Sequence, residues 1–145
     1  MTFMKKVTAI ILALILVINI TCITYAEEEL PVQEEIIEDY VNTRKVDVIL
    51  SINAAGTATV SISCIGYTGT THISASTYLE RWTGSAWTRV SINGTSQIDD
   101  DVYGSYLAKT YTTTVASGTY RATSVFTVTR GTDETITVRS NQATH

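Results

Sequence analysis

From Val46 onward, apolar positions alternate with Ser and Thr. The clearest run follows the Ser117-Gly118 turn signal. There Tyr120, Ala122, Ser124, Phe126 and Val128 fall on one face, and Arg121, Thr123, Val125 and Thr127 on the other. A period of two in β-branched and aromatic residues predicts a strand with one buried face. As the longest clean alternation in the chain, it is expected to be the central strand of a β-sandwich.

The same pattern predicts the neighbours. Val46, Val48, Leu50 and Ile52 mark a first strand, Asn53-Ala54-Ala55-Gly56 a turn, and Thr57 to Ile65 a second strand with Ala58, Val60, Ile62 and Cys64 inward. Gly66-Tyr67-Thr68-Gly69 breaks the pattern. Thr71 to Trp82 resumes it, with Ile73, Ala75, Thr77 and Leu79 on one face and His72, Ser74, Ser76, Tyr78, Glu80 and Trp82 on the other. Thr83-Gly84-Ser85-Ala86 reads as a hairpin turn leading into Trp87 to Ile92, which sets Trp82 and Trp87 to stack across the hairpin. Asn93-Gly94 and Asp99-Asp100-Asp101 bracket a short strand around Thr95 to Ile98. Tyr103 to Thr113 follows, and after the central strand Gly131-Thr132-Asp133-Glu134 reads as the last turn, before Thr135 to Arg139 with Ile136 and Val138 inward. About seven or eight strands with short turns and no helical period in the core predict an antiparallel all-β sandwich over residues 44–145.

The preceding residues belong to a different pattern. Lys5 and Lys6 precede the apolar run Val7 to Ile20, and Thr24-Tyr25-Ala26 offers small residues at −3 and −1 of a cleavage point between Ala26 and Glu27. That order predicts a cleaved secretory signal peptide over 1–26, its apolar run being short for a membrane span of about 20 residues. Thr21 and Asn19 before Cys22 do not fit a lipid-attachment site, so Cys22 is expected to leave with the leader. Residues 27–43 read as an acidic arm, a flexible spacer or a short amphipathic helix through Ile36, Ile37, Tyr40 and Val41.

Charge and cysteine content narrow the function classes. The chain's formal charge is −4, yet Glu27, Glu28, Glu29, Glu34, Glu35, Glu38 and Asp39 concentrate the acidity in the arm. The stretch from Tyr40 onward carries about +1, without the basic stripe that a phosphate backbone requires, so nucleic-acid binding is not expected. After leader removal no membrane association is expected, and Cys64 is left without a disulfide partner. Its place in an alternating strand fits a small buried hydrophobe. A catalytic thiol would need a base, and the histidines are His72, in a strand, and His145 near the C-terminus.

Two local patterns suggest a family. Gly118-x-Tyr120-x-Ala122 sits like the glycine and tyrosine-corner tyrosine at the start of strand F in immunoglobulin-like domains, with Ala122 where antibody domains carry a cysteine. Tyr78-Leu79-Glu80-Arg81-Trp82, Gly84 and Trp87 look like a C–C′ hairpin. On these residues, roughly 44–140 resembles the disulfide-free immunoglobulin-like and fibronectin-type sandwiches. With its leader and acidic spacer, the chain is also similar to small secreted proteins of Gram-positive bacteria. The resemblance implies a fold and is nearly silent on function.

The strongest candidate site is Trp82 and Trp87 with Tyr78, Glu80 and Arg89. Indole rings stack on sugars or prolines and flanking charges hydrogen-bond hydroxyls, although the rings could equally pack on each other or fill the core. Asp99-Asp100-Asp101 could offer oxygen ligands to Ca²⁺, but lacks the EF-hand spacing and fits a solvated turn better. Glu80 with Asp99 or Glu134 could in principle form a glycosidase pair. There is no Gly-x-Ser-x-Gly elbow, zinc spacing, phosphate loop or dinucleotide fingerprint, so no catalytic residue, metal or cofactor is expected. Asn93-Gly94-Thr95 fits a glycosylation sequon, incidental in a protein with a bacterial type of leader. The expectation is a secreted, non-enzymatic binding module for a surface glycan or extracellular protein, released or retained at the cell surface. The alternative is a structural subunit assembling through sheet edges, with Thr95–Ile98 or Thr135–Arg139 as the candidate edges.

Overall fold

A computed structural model describes residues 40–145. The leader, its cleavage point at Ala26 and Glu27, and the acidic arm up to Asp39 lie outside the described residues. Nine strands follow in order: β1 (Thr43–Ile52), β2 (Thr57–Gly66), β3 (His72–Trp82), β4 (Trp87–Val90), β5 (Ile98–Tyr103), β6 (Tyr106–Thr114), β7 (Thr119–Arg130), β8 (Thr132–Arg139) and β9 (Ala143–Thr144). No helix occurs among the described residues.

All pairings are antiparallel and form two sheets. One has the order β1-β2-β6, the other β4-β3-β7-β8. In the second sheet β3 pairs along one side with β7. Along its other side, β4 takes Leu79 to Trp82 and β5 takes His72 to Thr77. β8 and the short β9 similarly share the far side of β7. The longest alternation in the sequence is thus the longest strand, and it is central.

The inward faces of both sheets contribute to one core. Val48 and Leu50 of β1, Ala58, Val60, Ile62 and Cys64 of β2 and Leu107 of β6 share it with Ile73, Ala75 and Leu79 of β3 and Tyr120, Ala122, Phe126 and Val128 of β7. This layered arrangement is compatible with a β-sandwich, in which two sheets bury their facing sides against each other. Within the core the buried Thr77 and Ser124, opposite each other on β3 and β7, bond hydroxyl to hydroxyl at 2.9 Å. The buried Tyr120 sends its hydroxyl back to the Ala116 carbonyl at 2.7 Å, pinning the entry into β7.

Polar contacts tie the two sheets at both rims. On one, the Glu134 carboxylate of β8 accepts the Val41 and Asn42 backbone N–H groups (2.6 and 3.0 Å) and the Thr43 hydroxyl (2.9 Å). The Asn42 amide donates in turn to the carbonyls of Val128 and Thr132. On the other rim, the Tyr111 hydroxyl of β6 donates to the Asp100 carboxylate of β5. Partial burial, then this hydrogen bond and the adjacent charge, raise the Tyr111 phenol well above its ordinary value.

Three expectations need correction. Thr95 to Ile98 is not a strand: Ile92 and Thr95 close a tight turn, with backbone bonds of 2.8 and 3.1 Å in the two directions. Asp99-Asp100-Asp101 is not a turn but the middle of β5, because Ser76 and His72 of β3 and Tyr111 of β6 provide partners for the three carboxylates. Thr132-Asp133-Glu134 likewise belongs to β8. Gly131, at φ +78°, reverses the chain between the paired Arg130 and Thr132, a conformation that glycine adopts without steric cost. Strand β1 begins at Thr43, ahead of Val46, and β6 at Tyr106, after a break at Gly104-Ser105.

Cys64 is free and fully buried, and burial, reinforced by the Glu134 charge, pushes its thiol up to about 11. The thiolate is the reactive species, so a disulfide reagent at pH 8 should label the folded protein only at the rate of unfolding, and at once in urea. A second prediction concerns the tyrosine hydroxyl. Tyr120→Phe keeps the ring and removes its bond to Ala116, and should cost about 1 kcal/mol in urea denaturation, the net worth of one hydrogen bond.

Candidate functional site

The β3–β4 hairpin closes on its two tryptophans, which face each other in register. Its turn is held by the Thr83 N–H to the Ala86 carbonyl (2.9 Å) and by the Ala86 N–H to the Thr83 hydroxyl (3.2 Å). Because side chains alternate along a strand, Tyr78, Glu80 and Trp82 share the outer face of β3, with Trp87 and Arg89 beside them on β4. The register therefore gathers the five sequence-derived residues on one surface.

Neither indole fills the core. Trp82 and Trp87 lie 5.3 Å apart between ring centroids, tilted at 51°, within the range favoured for aromatic pairs. Trp82 is 40% exposed, while Trp87 is half-buried. The Arg121 guanidinium lies over the Trp87 ring, 4.3 Å from its centroid, and Arg89 lies over Tyr78 at 3.7 Å. With its own ring already occupied, Trp87 supports the hairpin, and Trp82 presents the free indole surface.

Glu80 is the hub beneath the rings. Its carboxylate accepts Arg121 Nε at 2.7 Å and the hydroxyl of the buried Thr123 at 2.9 Å. Burial works to raise the Glu80 carboxyl. The hydrogen bonds from Arg121 and Thr123, with the charges of Arg121 and Arg139, outweigh that effect and hold it below its ordinary value. Glu80 thus fixes Arg121, and Arg121 fixes Trp87. Arg89 is held differently, by its stack on Tyr78 and a 3.2 Å hydrogen bond to the Gln97 side chain.

Arg121, Thr123 and Arg139 complete this face and were not gathered into the site from the sequence. Arg121 and Thr123 lie on the outward parity of the central strand, which was legible. That β7 runs beside β3 with Arg121 opposite Glu80, and that β8 places Arg139 opposite Thr123, was not.

The other candidates do not converge. Strand alternation sends Asp99 and Asp101 to the outer face, where they bond Ser76 and Gln97, and His72, respectively. Asp100 points the other way, to Tyr111. Among the described residues no group of three or more His, Cys, Asp or Glu is placed to hold a metal ion. Glu80 and Glu134 lie on opposite faces of their sheet. Asp99 pairs with Ser76, four residues along β3 from Glu80, about 13 Å at the strand rise and beyond the roughly 5–9.5 Å of a glycosidase pair. No family model matches the chain, and no curated protein is significantly similar to it.

The Glu80 hub has a signature in acid. A carboxyl held low in the fold adds stability above its unfolded value, near 4.3, and that stability is lost as pH falls through the folded value. Urea midpoints should therefore drop between pH 5 and pH 3 in the native protein. Glu80→Gln should be less stable at pH 7 and show a shallower drop.

Proposed function

We infer that the protein is a secreted, non-enzymatic binding module that recognises an extracellular glycan or surface protein through the outer face of the β3–β4 hairpin. The observation that carries this reading is Trp82: a large aromatic surface, 40% exposed, at the end of an ordered array of Trp87, Arg121 and Glu80. An aromatic ring held in place before the ligand arrives loses little freedom on binding. The basic, apolar and small-residue segments of the leader support export, and retention at the cell surface is compatible with it.

The finer fold reading belongs with this proposal. Taking β1, β2 and β6 as strands A, B and E, β3, β7 and β8 as C, F and G, and β4 as C′, with β5 as an addition beside β3, the strand orders support an immunoglobulin-like sandwich of the fibronectin type. The Tyr120 hydroxyl bonded to the backbone four residues upstream supports the same reading, as the counterpart of a tyrosine corner.

Assembly through sheet edges is the second reading. It is favoured by β8, an edge strand without a charged side chain from Thr135 to Val138. Iodide quenching of the tryptophan fluorescence, with and without cell-wall glycan, separates the two. Binding at the hairpin predicts quenching that glycan suppresses, and a loss of roughly thirty-fold in affinity for Trp82→Ala, about 2 kcal/mol for an aromatic anchor. Fluorescence unresponsive to glycan, with oligomers that grow with concentration in sedimentation, would favour assembly.

A further inference from the structure

Resting on the binding reading above, we propose that the hairpin face selects carboxylated sugars: a uronate-type ring stacks on Trp82, and its carboxylate is taken by the guanidinium of Arg89, with Arg139 completing the positive field. The argument starts from a charge imbalance. Two adjacent cross-strand rows behind the tryptophan pair hold Arg89-Glu80-Arg121 and Tyr78-Thr123-Arg139. Three guanidinium groups therefore meet one carboxylate, and Arg121 already holds that carboxylate at 2.7 Å. Arg89 and Arg139 are exposed and form no ion pair among the described residues.

The opposite end of the same outer face is acidic. Asp99 and Asp101 stand on β5, and Asp133 stands on β8 opposite Thr129. A face polarised in this way draws an anion toward the hairpin and repels it from the far end, which orients an acidic chain as well as attracting it.

The positions and types of the cations specify the anion further. All three are arginines, whose planar fork matches a carboxylate in a bidentate manner. Arg89 is already oriented by Tyr78 and Gln97. It stands two residues from Trp87 on β4, about 7 Å along the strand, roughly the width of one sugar ring. A carboxylate borne directly on a pyranose ring would lie within that span when the ring covers Trp82. An acidic peptide has no such ring beside each carboxylate, and a polyol phosphate chain has no flat apolar face to lay on an indole.

Titration calorimetry of the purified protein with trigalacturonate, its fully methyl-esterified form and an oligoglutamate of equal charge tests the proposal. The expected result is saturable binding of trigalacturonate that weakens with salt, with the ester about tenfold weaker. Arg89→Gln and Arg139→Gln, both exposed substitutions, should narrow the gap between acid and ester to under threefold, with the native far-UV circular dichroism spectrum and cooperative unfolding retained. Equal binding of acid and ester would overturn the charge selection and leave the hairpin as a neutral-glycan site. Tighter binding of oligoglutamate than of trigalacturonate would overturn the sugar and make the face an acidic-peptide site. Failure of all three, with tryptophan fluorescence also blind to wall glycan, would overturn this proposal together with the binding reading beneath it.

Discussion

The antiparallel ladder between β3 and β7 is the constraint on which the rest of the molecule depends. It runs from His72 opposite Thr129 to Arg81 opposite Tyr120, without a register shift. Because side chains alternate, one register fixes two surfaces at once. Inward it sets Ile73 against Val128, Ala75 against Phe126 and Leu79 against Ala122, the middle of the core. Outward it sets Glu80 against Arg121 and Tyr78 against Thr123, the middle of the candidate site. A slip of one residue would expose the core residues and bury the charged pair, so the core and the site cannot be mispaired independently. The buried Thr77–Ser124 hydroxyl pair adds specificity, since any other register strands both groups without partners.

A core of this kind closes without covalent help. The described residues contain one cysteine, buried and free, so no disulfide joins the two sheets there. At one rim, Glu134 of β8 gathers the backbone and hydroxyl donors at the start of β1. At the other, Asp100 of β5 receives the Tyr111 hydroxyl of β6. Each contact joins a strand of one sheet to a strand of the other, beside the apolar interior rather than within it. Hydrogen bonds to ionised acceptors are stronger than neutral ones, and at the rims they avoid the full desolvation cost that the same carboxylates would meet in the core.

Apolar alternation made much of this fold legible in the sequence. The two faces of β3 and β7 and the inward set of β2 follow from a period of two, and so does the pairing of Trp82 with Trp87 across a hairpin, whereas whether either indole entered the core was settled only by the fold. Acidic segments misled for a physical reason. Asp99-Asp100-Asp101 and Asp133-Glu134 have low intrinsic strand preference and resemble turns when read locally. For Asp99-Asp100-Asp101 and Glu134 the partners are Ser76, His72, Tyr111 and the residues from Val41 to Thr43, 11 to 93 positions away in the chain, while Asp133 is held across the β7–β8 hairpin by Thr129. Arg121 and Arg139 escaped the site for a related reason: parity along one strand says which way a side chain points, and only pairing between strands says what it meets.

The arginines of the outer face show why pairing decides what a charge can do. Arg121 and Arg89 flank Glu80 from β7 and β4, and each lies over an aromatic ring. The single carboxylate between them can neutralise only one. It takes Arg121, because Thr123, the next outward residue on β7, donates to the same oxygen and holds the carboxylate toward that strand. Arg121 is thereby committed to the architecture: its charge is offset, its Nε is bonded and its plane braces Trp87. Arg89 keeps its stack on Tyr78 and its charge. The same residue type thus serves as a brace on one side of Glu80 and as an uncompensated cation on the other, a difference imposed by one threonine on the neighbouring strand.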